Sequence, residues 1–339
     1  MNDDERRMYE LEYPTPEIRD GHQHGPTLVV ALQGYADAGQ AVEAVSEHLL
    51  AALENRLVAS FNTDELVDFR SRRPAVTMED HEIIRTDEIN LDMRVLRDPE
   101  GRSFLLLSGP EPDMRWNAFT EAVTDLVERY DVENTICLYS APMTVPHTRP
   151  LVVSAHGNAP GLVGRMYRFD GKVVLPGSAA LRIEAALARA GRNVAGYTAH
   201  VPHYVAASPY PAATLNLLRS VADATDLDLP LRTLEHDARR VAEQLAEQTD
   251  DSGEIQQVVR ALEEQYDEAV EKYREAHPRA VMPGEADLPS GEELGAEFER
   301  FLARLDEPGE DGGDGRHGEN GEDGGDGEGP DAPQPPEGE

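Results

Sequence analysis

Apolar and polar positions follow two regimes along the chain, and the change comes near Pro230. Before it, strand-length apolar runs take turns with stretches of helical period. Thr27-Leu28-Val29-Val30-Ala31-Leu32 is a near-continuous apolar run, the pattern of a strand covered on both faces. A helix is expected from about Ala38 to Asn55, with Ala41, Val45, Leu49 and Leu53 on one face and Asp37 placed to cap its first turn. Leu57–Phe61 reads as a second strand. Ile89–Leu96 and Arg102–Ser108 flank the turn signature Asp98-Pro99-Glu100-Gly101 and predict a hairpin. A helix over about Arg115–Tyr130 leads into the strand Thr135–Tyr139, and Leu151–Ala155 and Lys172–Leu175 are expected strands. Ser178 suits an N-cap for the helix Ala179–Ala190, which Gly191 ends. The strand Asn193–Ala199 and the helix Ala212–Ala224 complete the pattern. Such alternation predicts one α/β domain over residues 27–230, its mostly parallel sheet sandwiched by helices.

After Pro230 the strands stop. Leu234, Ala238, Val241 and Leu245 are spaced 4, 3, 4, and Ile255, Val259, Leu262, Tyr266, Ala269 and Tyr273 continue the seam past Thr249-Asp250-Asp251-Ser252-Gly253. That pattern is an αα-hairpin. A third helix, Gly291–Leu305, carries Leu294, Phe298, Phe301, Leu302 and Leu305. Residues 231–305 are thus a helical extension, packing on the α/β domain or meeting another subunit or partner. Residues 1–26 form an N-terminal arm. The segment 306–339 holds 11 glycines and 13 acids with almost nothing apolar, so it cannot offset its ordering entropy and is expected to be a disordered tail.

Charge sharpens this picture. The chain has 339 residues and a net charge of −35. Residues 1–26 contribute 7 acids and 3 bases, 27–230 contribute 27 and 18, 231–305 contribute 19 and 9, and 306–339 contribute 13 and 1. More than half of the excess therefore lies after residue 230. The total excludes a generic nucleic-acid binder, which needs a basic surface. No apolar run reaches the 18 or so residues of a membrane span. The first residues lack the layout of a signal peptide. The single cysteine, Cys137, leaves no internal disulfide and no multi-cysteine zinc site. The expectation is a cytoplasmic protein.

Candidate chemistry is sparse. Gly34-x4-Gly39 has P-loop spacing, but Gln40-Ala41 follow where Lys and Ser/Thr belong, and Asp37 would repel an anion. Asp37 is either a capping aspartate or a polar site residue. Residues 134–222 hold two acids, Asp170 and Glu184, against eight bases, a +6 window in an acidic chain. His147, His156, His200 and His203 fall in it. Three of these histidines (His147, His156 and His203) lie near expected strand ends, where open α/β sheets keep ligand sites. Asp37, Arg149, His156 and His203 are accordingly the candidate pocket, with Arg149 as fork donor to a small anion. The alternative is that these arginines pair with the protein's own carboxylates. The histidine spacings match no metal motif, and no cofactor fingerprint is present. Ser178 lacks a nucleophile elbow and reads as a cap. Cys137, inside an apolar strand, reads as an inert buried thiol. Trp116 is a packing anchor or a binding platform, while Glu111 and Asp113 cap its helix or pair with Arg115. His22 and His24, in a polar stretch, carry no special reading.

Several of these segments together resemble the proteasome assembly chaperone 2 family in its actinobacterial form. They are Gly34-Tyr35-Ala36-Asp37-Ala38-Gly39, Glu111-Pro112-Asp113-x-Arg115-Trp116, Pro146-His147-Thr148-Arg149-Pro150, Pro176-Gly177-Ser178-Ala179, and Val201-Pro202-His203-Tyr204 with Tyr210-Pro211. They recur in order over roughly residues 27–225. The resemblance implies a three-layer αβα sandwich of the phosphorylase/hydrolase-like type. It also implies a non-catalytic role, since the eukaryotic namesakes bind proteasome α-subunits during ring assembly. It brings no catalytic residues with it. The leading expectation is a non-enzymatic interaction or assembly protein that forms homo-oligomers, with protein partners that include proteasome subunits. The rival is a phosphorylase/hydrolase-like enzyme or small-molecule binder using the candidate pocket, with a histidine moving protons.

Overall fold

The strand-forming runs pair into one mixed sheet, and the helical stretches cover both of its faces. The computed structural model describes residues 8–18, 25–278, 280–282 and 284, all within the unit Met1–Asp287. The expected helix Gly291–Leu305, the acidic tail, His22 and His24 lie outside the described residues.

In chain order the strands of this sheet are β1 (Tyr9–Leu11), β2 (Thr27–Gln33), β3 (Glu54–Phe61), β6 (Asp92–Arg97), β7 (Ser103–Pro110), β8 (Asn134–Met143), β9 (Val153–Gly157) and β10 (Asn193–Pro202). They lie side by side as β1-β3-β6-β7-β2-β8-β10-β9. The centre β7-β2-β8-β10 is parallel. Antiparallel pairs flank it, β1-β3-β6-β7 on one side and β10-β9 on the other. The parallel sheet expected from the sequence is this centre, and the 89–108 hairpin supplies part of one flank. Asp98 turns that hairpin by accepting the Glu100 and Arg102 backbone N–H groups at 3.0 and 2.8 Å.

Alternation along β2 shows why both faces are covered. Leu28 and Val30 point into one apolar cluster, with α3 (Trp116–Arg129) and α5 (Ala179–Arg189). Val29 and Ala31 point into the other, with α1 (Ala41–Ala52) and α6 (Pro211–Thr225). All four β2 residues are fully buried, which stabilises the fold by roughly 1.5–3 kcal/mol for each Val or Leu side chain. Helix α7 (Arg232–Asp250) adds its seam to this side of the molecule, and α8 (Gly253–Ala276) follows it in the chain. Leu234 joins the α1–α6 cluster, and Ala238, Val241 and Leu245 pack against it.

Local chemistry explains most boundaries. Helix α1 starts at Ala41 rather than Ala38, because Gln40 takes a left-handed φ of 52° after a 3₁₀ turn over Ala38–Gln40. Ser178 caps α5 through Oγ, which accepts the Leu181 N–H at 3.1 Å. Three elements depart from the sequence pattern. Lys172–Leu175 is not a strand; its residues are exposed and pair with no neighbour in the sheet, so its β-branched pattern finds no ladder. Strand β1 grows out of the polar N-terminal arm and pairs with β3. A separate two-stranded hairpin, β4 (Val76–Glu79) and β5 (Glu82–Thr86), stands apart from the main sheet. Two short helices, α2 (Thr63–Leu66) and α4 (Pro160–Val163), complete the elements.

Candidate functional site

Parallel strands end on the same edge of a sheet, so β2, β7, β8 and β10 deliver four loops to one rim. These are residues 34–39, 111–116, 146–150 and 203–210. The turn 176–179 joins them, because the Ala179 N–H at the start of α5 donates to Glu111 Oε1 at 2.6 Å. All the motif segments singled out in the sequence therefore gather at the carboxyl rim, the edge where open α/β sheets bind their ligands.

The polar groups of this rim hold it together. Asp37 accepts the Val42 and Glu43 N–H groups at 2.7 and 3.2 Å and caps α1, as its position predicted. Burial pushes its carboxyl upward from the usual range, against those hydrogen bonds. Glu111 and Asp113 take partners other than the expected ones. Glu111 caps α5 and fills the space beside Gly34, where a Cβ would lie 2.5 Å from Glu111 Oε2. Asp113 accepts the Asp68 N–H at 2.8 Å and pairs with Arg72 at 3.3 Å. Arg115 instead pairs with Glu65. Trp116 donates its indole N–H to the Pro112 carbonyl and packs on the α3–α5 cluster, which is the anchor role.

Arg149 lies on the rim, yet its fork is already engaged. Nε and Nη2 donate to Asp267 at 2.8 Å each, and Nη1 donates to Glu263 at 3.0 Å. This bidentate clamp ties α8 to the β8 loop; it holds Asp267 below its usual range and raises the Arg149 pKa further. The carboxylates that take this arginine are the protein's own. His147 beside it receives Tyr204: the phenol oxygen accepts the His147 N–H at 2.8 Å and meets Nδ1 at 2.7 Å. His203 is exposed, with its ring edge-on to Tyr204 at 5.3 Å between centroids.

His156 does not join the other three. It sits on edge strand β9 opposite Gly196, seven residues before His203, or about 23 Å along the strand at ~3.3 Å per residue. There Nε2 pairs with Glu184 at 2.9 Å, and the other carboxyl oxygen of Glu184 accepts Tyr139 at 2.5 Å. That bond to Glu184 raises the His156 pKa. Burial raises the adjacent Cys137 thiol well above its ordinary value, as expected of an inert cysteine. His200 is buried, bonded to Ser154 Oγ at 3.0 Å under the Phe169 ring, and burial lowers its pKa to about 4.

So Asp37, Arg149 and His203 lie on the carboxyl rim, each with its own neighbours, and His156 lies elsewhere. Neither the cleft of about 310 Å³ lined by Gln33, Asn55, Asp92 and Arg94 nor that of about 230 Å³ lined by Glu54, Arg56 and Arg97 includes any of the four. Among the described residues no group of three or more His, Cys, Asp or Glu side chains is arranged to hold a metal, and no helix is long and apolar enough to cross a membrane.

The sequence reading missed the apolar groups that the rim displays. Tyr35 is 70% exposed and Met114 45% exposed; Tyr35 follows Gly34, which lies against Glu111, and Met114 follows Asp113. Tyr204 is also exposed. Their signal was present but indistinct, since an apolar residue in a polar loop reads equally as a packing contact. A rigid rim carrying exposed apolar side chains suits docking of another protein surface.

A model of the PAC2 family matches residues 31–249. Among solved structures, a Corynebacterium glutamicum protein of unknown function is 61% identical with a TM-score of 0.77, covering 79% of this chain and 100% of that one. A Mycobacterium tuberculosis protein of unknown function is 45% identical with a TM-score of 0.75, covering 78% of this chain and 92% of that one. A proteasome-assembly chaperone homologue from Mycobacterium tuberculosis is 27% identical with a TM-score of 0.63, covering 69% and 99%. No curated protein matches the chain.

Proposed function

The chain belongs to the PAC2 family, and on that premise we propose that it is a non-enzymatic cytoplasmic protein that binds protein partners during assembly, proteasome subunits among them. The observation that carries this reading is the carboxyl rim. Its carboxylates and its two arginines are engaged in caps, clamps and ion pairs, while Tyr35 and Met114 face solvent. A surface built this way is preorganised and apolar at its centre, which is what a protein interface needs. The likeness to a proteasome-assembly chaperone homologue supports the choice of partner class. The three-layer arrangement agrees with the phosphorylase/hydrolase-like type, and that finer assignment is part of the proposal.

The anion-binding reading is weaker because its donor is taken. A ligand at Arg149 would have to displace two carboxylates, one of them held by two parallel bonds. The test pairs two measurements on the purified chain. Mixed with purified proteasome α-subunits, it should form a complex that changes the yield of assembled rings. In thermal melts with phosphate and nucleosides it should show no shift. No complex, together with a shift of several degrees for one ligand class, would replace this reading with the small-molecule one.

A further inference from the structure

The cleft of about 310 Å³ opens where the connections of the sheet diverge. Strand β2 passes to α1 on one face, and its neighbour β7 passes to α3 on the other. That divergence makes the carboxyl ends of β2 and β7 a switch point, the crevice in which open α/β sheets bind small molecules. Gln33 closes β2, Ser108 lies two residues before the end of β7, and both line the cleft. Helix α1 adds Glu47 and Leu50 to its lining. Gly109 takes a φ of 132°, and a Cβ there would lie 2.3 Å from the Asn90 carbonyl oxygen. The glycine thus lets β7 approach residue 90 and brings Asn90 to the cleft.

Part of the lining is a fixed polar frame. Asp92 is only 7% exposed, and it accepts Ser60 Oγ at 2.8 Å and Arg94 Nη2 at 3.3 Å. Arg94 Nη1 donates in turn to Asn55 Oδ1 at 3.1 Å, and Asn55 Nδ2 donates to the Leu50 and Leu53 carbonyls. Each member is oriented by another, so the frame is set before a ligand arrives. The rest of the polar lining is different. Among the described residues the side chains of Gln33, Asn90 and Ser108 make no hydrogen bond.

Charge and shape narrow the ligand class. Arg94 is answered by Asp92, and the other ionisable group of the cleft, Glu47, is acidic, so an anion finds no free cation. Among the described residues no aromatic ring lines the cleft, so a nucleobase has no face on which to stack. What remains is a set of amides and a hydroxyl beside a carboxylate, around a space at the small end of ligand pockets. An amide donates and accepts from adjacent atoms, which matches the neighbouring hydroxyls of a sugar ring. We propose that this cleft binds one neutral, hydroxyl-rich molecule, a monosaccharide or cyclic polyol. Gln33, Asn90 and Ser108 are its hydrogen-bond partners, and the Asp92–Arg94–Asn55 frame keeps the cleft in shape. This inference goes beyond the partner binding proposed above and is read on the purified chain alone, so either can fail without the other. It also expects no response to phosphate or nucleosides.

Calorimetric titration of the purified full chain with glucose, ribose and myo-inositol is the test. At least one of the three should bind saturably, with a Kd of about 1 mM or tighter. Gln33→Ala and Asn90→Ala remove side chains that have no partner within the chain. Each variant should therefore keep the wild-type melting temperature and bind the same compound about fivefold more weakly. The monophosphate of that compound should bind at least about tenfold more weakly than the neutral form, because its charge meets Glu47 and no free cation. Absence of saturation by all three compounds at about 100 mM would overturn the inference. So would unchanged affinity in both variants, or tighter binding of the monophosphate.

Discussion

Gly196 shows how a single hydrogen atom can decide a contact. A Cβ there would lie 2.3 Å from His156 Cε1 and 2.7 Å from Glu184 Oε1. Gly196→Ala should therefore split the His156–Glu184 pair and cost roughly 1–3 kcal/mol, read as a lower urea midpoint. The two histidines near this edge act on stability with opposite signs. His200 is held neutral, its folded pKa near 4 against about 6.5 unfolded. The unfolded chain binds that proton first, so stability should fall as pH drops through this window, by on the order of 3 kcal/mol for a fully buried ring. His156 has its folded pKa raised by Glu184. Its contribution is complete below the unfolded value and is lost as pH rises through the folded one. Urea midpoints from about pH 4 to about pH 8 should show both slopes. His200→Gln should flatten the acid side and His156→Gln the other; unchanged slopes would refute the assignments. Individual roles were legible where they are local, as with Asp37 and Ser178 capping helices that begin within a few residues. Arg149 was not, because Asp267 lies 118 positions away and only the fold brings them together.

At the level of elements, the sequence announced the helices and the parallel centre because each has a continuous apolar face to bury. It could not separate a strand that pairs from one that does not. Val173–Leu175 and the β4–β5 arm have β-forming patterns, and what differs is whether a neighbouring ladder exists within the chain. Strand β1 is the opposite case, a three-residue edge whose pairing with β3 comes from position rather than pattern. Helix α8 depends on the Arg149 clamp together with Tyr266, which donates to the Pro150 carbonyl at 2.7 Å, and Tyr273, whose hydroxyl accepts the Arg168 N–H at 2.9 Å and whose ring lies 4.2 Å from that of Tyr167. Arg149→Ala should loosen the helix as a unit. Amide exchange over Gly253–Ala276 should accelerate while β2, β7, β8 and β10 keep their protection. Uniform acceleration would mean that the clamp supports the whole fold, and no change would mean that the apolar seam alone holds α8.

Over the whole molecule, a net charge of −35 makes self-repulsion a standing load on the folded state. Raising ionic strength from about 0.01 M to about 0.15 M shortens the screening length from ~30 to ~8 Å, and the melting temperature should rise with it. A falling melting temperature would show that attractive pairs such as Arg149–Asp267 outweigh the repulsion. The same charge distribution leaves the carboxyl rim less acidic than the rest and apolar at Tyr35 and Met114, where partner binding is proposed. The most direct test of that placement is a binding isotherm between the purified chain and purified proteasome α-subunits, repeated with the double variant Tyr35→Glu, Met114→Glu. Saturable binding that weakens at least about tenfold in the variant, a loss of ~1.4 kcal/mol, is the result expected. No binding, or binding of equal strength by the variant, would contradict it.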